Sequence, residues 1–215
     1  MGQIITLNDS SPEIQYLCKK DKRLAKLISM IGPISYEIHD DQYEFIVHEI
    51  IEQMLSIKAG NKIFSRLVDL CEGKVTPEVV SKLTDEKIKS IGTAASKVSY
   101  IRSVTEATLD SNLDYKALET MTDDEVFNKL TAIKGIGKWT ANMYLIFVLN
   151  RMDILPTNDA AFLQAYEWLY KTDDHSDTSI RKRCKKWKPY SSIASRYLYR
   201  ALDGGFTKEK FHLYK

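Results

Sequence analysis

The stretch IKGIGKWTANMYLIFVLNRMDILPTNDAAF, residues 133–162, places three features within thirty residues. Gly135 and Gly137 flank one apolar residue ahead of an apolar helical pattern, Pro156 interrupts that pattern, and Asp159 follows. Such glycines let the backbone turn sharply and approach another surface without an intervening side chain. We therefore expect a tight turn between two helices, and a further helix that begins near Asp159.

Helix signals dominate the rest of the chain. Apolar residues recur at helical spacing from Leu24 to Ile31, and a second stripe runs from Phe45 to Met54. No segment alternates with period two between hairpin turns. The sequence therefore predicts an all-α protein of about ten short helices. Threonines typical of helix N-caps stand at Thr76, Thr84 and Thr122.

A domain border is predicted near Pro156, where a polar triplet ends an apolar helix and starts a new one. The last sixty or so residues are also more basic and aromatic than the middle of the chain. We expect two helical lobes, one from residues 1–35 plus 155–215 and one from residues 36–154 that carries the glycine turn. A cleft between the lobes is the expected ligand site.

Composition restricts the class of protein. The chain has 215 residues, is 44% hydrophobic and 28% charged, and carries a net charge of +2. This is typical of a globular protein, and any polyanionic partner has to meet a local basic patch. Three distant cysteines show neither a disulfide framework nor metal-binding spacing. No apolar run is long enough to span a bilayer and no secretory signal is visible, so we expect a cytoplasmic protein without a membrane partner.

The glycine turn suits an anion. After it, a helix begins with free N–H groups and the positive end of its dipole, and Lys134 and Lys138 add positive charge beside it. A phosphate diester fits these surroundings. The two glycines alone are equally typical of an ordinary turn between helices, which is the alternative interpretation.

The complete string LTAIKGIGKWTA, residues 130–141, resembles the hairpin of the helix-hairpin-helix DNA glycosylases, and the match continues through Pro156 to Asp159. Residues 49–67, 76–104 and 187–199 resemble neighbouring segments of the same superfamily, so the resemblance covers about residues 20–200. The branch it most resembles is 3-methyladenine DNA glycosylase II. The resemblance implies a monomeric base excision repair enzyme that acts on double-stranded DNA containing alkylated bases, located at the nucleoid of a bacterium or in the nucleus of a eukaryote. No cofactor is required for that reaction.

The resemblance assigns catalysis to Asp159, whose carboxylate would stabilise the cationic sugar that develops as the base departs. Position alone favours a different role, since aspartate at a helix start is usually an N-cap. In the bifunctional relatives a lysine nucleophile stands where this chain has Trp139. Lys138 lies one residue too early, so we expect a monofunctional enzyme that leaves an abasic site.

The resemblance also implies the positions that contact the base and the duplex. Alkylated purines carry positive charge and stack well on electron-rich rings. Met54 corresponds to the apolar wedge that enters the duplex, with burial in the core as the alternative. The predicted base pocket is lined by Trp139, Tyr190, Trp187 and Met143; the predicted DNA-backbone contacts are Lys134, Gly135, Ile136, Gly137, Lys138 and Thr140. The backbone carbonyls of Thr131, Ile133 and Ile136 match positions that hold a structural monovalent cation.

Two other functions stay open at this point. A non-catalytic helix-hairpin-helix DNA-binding protein would use Asp159 only as a cap, and a glycosylase for oxidised or mismatched bases would share the fold. HEIIE at residues 48–52 lacks the second histidine of a zinc-protease motif, so a zinc-protease site is excluded. The basic run of residues 181–188 is either a solvated helix face or a secondary phosphate contact.

Overall fold

The computed structural model describes residues 2–214, which form two compact units. The terminal unit joins both ends of the chain, Met1–Ile38 and Asn150–Lys215, and the central unit is His39–Leu149. Helices make up most of both units, so the predicted all-α class is confirmed. Among the described residues, no helix is both long and apolar enough to cross a membrane.

The central unit contains eight α-helices. Its core is formed by buried apolar side chains from most of these helices, including Ile46, Ile50, Leu67 and Leu130. The helices are α3 (Gln42–Glu52), α4 (Ile57–Leu70), α5 (Pro77–Ser81), α6 (Asp85–Ser90), α7 (Ala95–Leu109), α8 (Tyr115–Thr120), α9 (Asp123–Thr131) and α10 (Lys138–Phe147).

Within residues 2–38 and 150–214, the terminal unit contains five α-helices, two short 3-10 helices and two strands. Its core contains apolar and aromatic side chains from both ends of the chain, among them Leu24, Phe162 and Tyr197. The elements are β1 (Ile4–Leu7), α1 (Pro12–Lys20), α2 (Lys22–Ile31), β2 (Ile34–Glu37), α11 (Ala160–Tyr170), α12 (Asp177–Cys184), α13 (Ser191–Asp203), and the 3-10 helices Lys185–Trp187 and Phe206–Lys208.

The small sheet is a feature that the sequence pattern does not predict. β1 and β2 pair antiparallel, with Ile4 opposite Glu37 and Leu7 opposite Ile34. Each strand has four residues, which is too short for a period-two alternation to stand out from its surroundings.

Helix ends follow the predicted capping residues. The side chains of Thr76, Thr84 and Thr122 each accept a hydrogen bond from the backbone N–H three residues later, and Thr122 forms a complete capping box with Glu125. α2 ends at Gly32, whose φ of 78° lies in the left-handed region. These local signals place the helix borders correctly because each one satisfies backbone groups that the helix itself leaves unpaired.

Candidate functional site

The glycine turn lies between α9 and α10 of the central unit, and its two glycines differ in what they require. Gly135 has φ of 97°, and a Cβ there would lie 2.3 Å from the Cβ of Tyr100. The fold therefore demands glycine at residue 135. Gly137 has φ of −90°, which any residue adopts, and a Cβ there would meet no atom within 4 Å. The fold does not demand glycine at residue 137, so the open space is available to an external group.

The first turn of α10 has the character of an anion site. Gly137 is its N-cap and supplies no side-chain cap, and no acidic residue stands in the first turn. Backbone N–H groups at a helix start attract anions through both hydrogen bonding and the helix dipole. Lys138 is exposed beside them, and Lys134 is exposed with its Nζ donating to the Ser99 Oγ at 2.9 Å.

Two of the predicted DNA-binding residues of the hairpin are buried. Ile136, which keeps 4% of its surface exposed, anchors the turn in the core of the central unit. Thr140 is also buried, and its hydroxyl accepts a hydrogen bond from Gln53. Any contact of these two residues with DNA therefore has to run through the backbone rather than the side chain.

The hairpin carbonyls remain candidates for a cation. The Ile133 carbonyl accepts a hydrogen bond from the Ile136 N–H at 3.1 Å. A carbonyl oxygen has two lone pairs, so this bond does not prevent a second contact. Carbonyl oxygens of Thr131, Ile133 and Ile136 are chemically suited to a hard cation.

Met54 lies outside α3, in the loop that joins α3 to α4. Its side chain is fully exposed, at 101% of the reference area, and its φ is 59°. The prediction that Met54 continues the buried stripe of the helix is wrong, because α3 ends at Glu52 and the chain turns there. The alternative of burial in the core is therefore excluded for this structure. An unbranched apolar residue held in the left-handed region is uncommon, and such strain is found at functional sites.

Trp139 and Met143 stand one turn apart on α10. Trp139 is half-buried in the first turn, whereas Met143 keeps only 5% of its surface exposed. Residues four apart share a helix face, so the two side chains lie along one side of α10. Trp139 has a partly open surface, while Met143 lies largely in the core of the central unit.

In the terminal unit, Asp159 is the N-cap of α11. Its Oδ1 accepts a hydrogen bond from the Phe162 N–H at 2.6 Å, and the residue keeps 6% of its surface exposed. The N-cap alternative raised from the sequence is thus correct as a description of geometry. The same bond fixes the direction of the carboxylate, which is what a group that stabilises a developing charge requires. The two roles are compatible.

Trp187 does not have the open face that a pocket wall needs. The residue has 0% exposure and its indole N–H donates to Asp21 Oδ2 at 3.0 Å. Its ring meets the Phe162 ring edge to face, with centroids 6.5 Å apart. The structure therefore favours a core role for Trp187 over the predicted pocket role. Tyr190 is half-buried, with its ring edge-on to Tyr16 at 5.4 Å.

The basic run of residues 181–188 is largely satisfied inside the terminal unit. Arg183 lies over the rings of Tyr166 and Tyr170, and its guanidinium carbon is 5.6 and 5.1 Å from their centroids. Lys186 forms an ion pair with Asp21, Lys188 with Asp153, and Arg181 with Asp177. Four of the six cations thus have partners within the fold, which favours a structural role for most of the run.

Two residues of the central unit were not singled out by the sequence. The side chain of Lys97 donates to the backbone where α3 leads into the loop that carries Met54, and the side chain of Gln53, the first residue of that loop, donates to the hairpin. Both lie in segments that resemble the superfamily, but their hydrogen-bond partners include residues 44 to 87 positions away along the chain. Only the folded structure shows the connection.

Comparison with known proteins agrees with this arrangement. The DNA-3-methyladenine glycosylase 1 of Schizosaccharomyces pombe is 29% identical over 201 residues, which cover 92% of this chain and 88% of the relative. The crystal structure of a DNA-3-methyladenine glycosidase from Bacillus halodurans superposes with a TM-score of 0.86 at 34% identity, covering 97% of each chain. The S. pombe 3-methyladenine DNA glycosylase in complex with abasic DNA gives a TM-score of 0.82 at 27% identity, covering 90% of this chain and 97% of that one.

The family assignment follows from the sequence directly. Residues 47–189, about two thirds of the chain, match the model of the HhH-GPD superfamily base excision DNA repair proteins. This range contains the wedge candidate Met54, the glycine hairpin and Asp159. The chain belongs to the HhH-GPD superfamily of base excision DNA repair proteins.

Proposed function

We propose that the protein is a monofunctional DNA glycosylase that hydrolyses the N-glycosidic bond of alkylated purines, of the 3-methyladenine type, after flipping the base out of the duplex. The observation that carries the proposal is the buried Asp159 carboxylate, held in one direction by the start of α11. The names of the relatives, which are alkylpurine glycosylases, support the choice of substrate class.

The main requirement for hydrolysis of this bond is stabilisation of positive charge on the sugar. As the bond between the sugar and the base breaks, the bonding pair leaves with the base and positive charge grows on the sugar. The fixed Asp159 carboxylate stabilises that charge, and water attacks the anomeric carbon and loses a proton. An alkylated purine is already cationic, so it departs as a neutral base and needs no separate general acid. A single carboxylate therefore suffices as the catalytic group.

Selection of a cationic base requires electron-rich surfaces. The half-buried Trp139 and Tyr190 are the two predicted pocket residues with partly open surfaces. A positively charged purine is attracted to the face of such rings more strongly than a neutral one. Trp187 and Met143 are each buried within their own unit and offer no open face to a base.

The hairpin supplies affinity without sequence preference. Phosphate oxygens of double-stranded DNA bind the N–H groups at the start of α10, where Gly137 leaves room for the backbone to approach, with Lys138 and Lys134 beside them. A monovalent cation on the carbonyls of Thr131, Ile133 and Ile136 would add positive charge at the same place. Met54 enters the stack that the flipped nucleotide vacates.

The absence of a lysine at residue 139 makes the enzyme monofunctional. A lyase forms a Schiff base between an amine and the sugar, and Trp139 has no amine. The product is then an abasic site in an intact strand. The expected working form is a monomer located with the DNA of the cell.

The direct test of the function is the release of free bases. Duplex DNA treated with a methylating agent is incubated with the protein, and the soluble fraction is separated by chromatography. We expect 3-methyladenine or related alkylpurines to appear with time. Binding to DNA without any release would support the non-catalytic alternative, and release of oxidised or mismatched bases alone would support the other glycosylase class.

A further inference from the structure

The loop that carries Met54 is connected to the glycine hairpin by one side chain. We define the wedge loop as residues 53–56 and the glycine hairpin as residues 133–137. Gln53, the C-cap of α3, donates from Nε2 to the Gly135 carbonyl at 2.9 Å and to the Thr140 Oγ1 at 3.3 Å. Both acceptors belong to the hairpin or to the first turn of α10. Gln53 is half-buried, so water competes only partly for these bonds.

The backbone of the same loop is held from a second direction. Lys97 donates from Nζ to the Ile51 carbonyl at 2.8 Å and to the Gln53 carbonyl at 2.7 Å. These carbonyls lie at the end of α3, where the helix leaves them without intrahelical partners and where its dipole favours a cation. Lys97 therefore fixes the point at which the wedge loop leaves the helix.

The remaining part of the wedge loop is also ordered. The Leu55 N–H donates to the Glu52 carbonyl at 2.9 Å, which closes a tight turn around Gln53 and Met54. The Ser56 hydroxyl then caps α4 by accepting from the Ala59 N–H at 3.3 Å. In this turn Met54 takes the left-handed position that glycine usually occupies. The exposed methionine is thus presented on a fixed turn rather than on a free loop.

We propose that Gln53 is a positioning residue that joins the wedge loop to the glycine hairpin, so that gripping the DNA backbone and inserting Met54 are performed by one rigid element. The inference rests on the proposed function for its effect on catalysis, whereas the contact itself belongs to the free protein. A wedge held at a fixed distance from the bound phosphates enters the stack without an ordering cost at the moment of binding. Lys97 supports the same element by holding the Gln53 carbonyl.

The test replaces Gln53 by an isosteric residue that cannot donate. Gln53→Met removes both hydrogen bonds, and Gln15→Met is the matched control, since Gln15 also donates to a backbone carbonyl, that of Asp9 at 3.2 Å in the terminal unit. Single-turnover release of an alkylated purine is measured from a normal pair and from a position opposite an abasic site. In the second substrate the alkylated base has no pairing partner, so flipping it breaks no base pair and depends less on the wedge.

We expect Gln53→Met to slow release from the normal pair about tenfold, the size of effect of losing one or two neutral hydrogen bonds. Release opposite the abasic site should change less than about twofold, and Gln15→Met should leave both rates unchanged. Equal slowing on both substrates would show that Gln53 only supports the fold, and no slowing would show that the wedge is positioned without it. Either result overturns the positioning role.

Hydrogen exchange of the free protein tests the connection without any substrate. Gln53→Met should speed exchange together in peptides that cover residues 53–56 and 133–140, and Gln15→Met should speed neither. Unchanged exchange in both regions overturns the inference, whatever the enzyme does with lesions. If the unmodified protein releases no base from either substrate, the proposed function fails, and the exchange result still decides whether Gln53 joins the two elements.

Discussion

Gly135 packs so closely against Tyr100 that a Cβ at residue 135 would lie 2.3 Å from the Tyr100 Cβ. Two residues later, a Cβ at Gly137 would meet nothing within 4 Å. One glycine is therefore required by the fold of the central unit, and the other leaves room at the surface. Substitutions at these two glycines can therefore test stability and the proposed DNA binding separately.

Alanine should mainly reduce stability at residue 135 and mainly reduce DNA affinity at residue 137. Gly135→Ala should destabilise by about 2–4 kcal/mol because it combines a steric clash with a strained backbone. Gly137→Ala should cost less than about 1 kcal/mol, the value of a good N-cap residue. It should nevertheless weaken binding about tenfold to every duplex, because a methyl group separates phosphate from the N–H groups. Denaturant unfolding and a salt-controlled binding titration measure the two effects, and unchanged affinity in Gly137→Ala would show that the hairpin does not face DNA.

Two substitutions of Met54 distinguish the effect of backbone strain on stability from the effect of the wedge on activity. Met54→Ala removes the wedge but keeps a side chain in the left-handed region, whereas Met54→Gly removes the wedge and relieves the strain. We expect both variants to lose release from paired lesions, and Met54→Gly to be about 1 kcal/mol more stable than Met54→Ala. Thermal unfolding and single-turnover release are the measurements. Normal release in both variants would exclude the wedge role.

His48 makes the stability of the central unit depend on pH. Its Nδ1 lies 3.6 Å from Glu49 and 3.8 Å from Glu52, and its Nε2 lies 2.9 Å from the Asn61 Oδ1. Burial lowers the pKa of His48, but the hydrogen bonds to Glu49 and Asn61 and the two negative charges outweigh it, so the pKa is raised above its ordinary value. A raised pKa contributes stability that is complete below about 6.5, the pKa in an unfolded chain, and is lost as pH rises through the folded value.

The expected result is a pH-dependent difference between the unmodified protein and His48→Gln. Glutamine cannot take up a proton, so the stability advantage of the unmodified protein should be larger at pH 6 than at pH 9. Denaturant unfolding at the two pH values measures it. An advantage of equal size at both would contradict the assignment of the effect to protonation of His48.

The sequence predicts best those features that depend on neighbouring residues. Thr122 and Glu125 indicate a capping box within four residues. Pro156 ends the preceding helical pattern, and this indicates that a new helix begins near Asp159. The sequence pattern wrongly places Met54 at the end of α3. Its spacing continues the apolar stripe of α3, and spacing does not show that φ turns positive after Glu52.

Features that depend on residues far apart in the chain could not be predicted from local sequence patterns. Trp187 resembles a pocket aromatic until its indole N–H is seen to bind Asp21, 166 residues away. The bond between Gln53 and Gly135 joins residues 82 apart, and no local pattern encodes it. The two strands of four residues are likewise visible only as a pair.

The chemistry of the product follows from Trp139. Borohydride should trap no covalent adduct between the unmodified protein and lesion-containing DNA, because no amine stands at the position that a lyase uses. Strands should break only after alkali or an abasic-site nuclease, which gel electrophoresis detects. Strong trapping would show that another lysine, with the exposed Lys138 as first candidate, reaches the sugar. The alkylpurine assignment would then have to be revised.

The central claim is that the carboxylate of Asp159 acts on the transition state and does not merely cap α11. Asp159→Asn separates these roles, since asparagine is as good an N-cap as aspartate but carries no charge. The decisive measurement is the rate of alkylpurine release by this variant, alongside its affinity for abasic-site DNA and its unfolding midpoint. The account predicts release slowed at least about a hundredfold, with affinity and midpoint nearly unchanged. Release at the rate of the unmodified protein would contradict it and leave Asp159 as a cap alone.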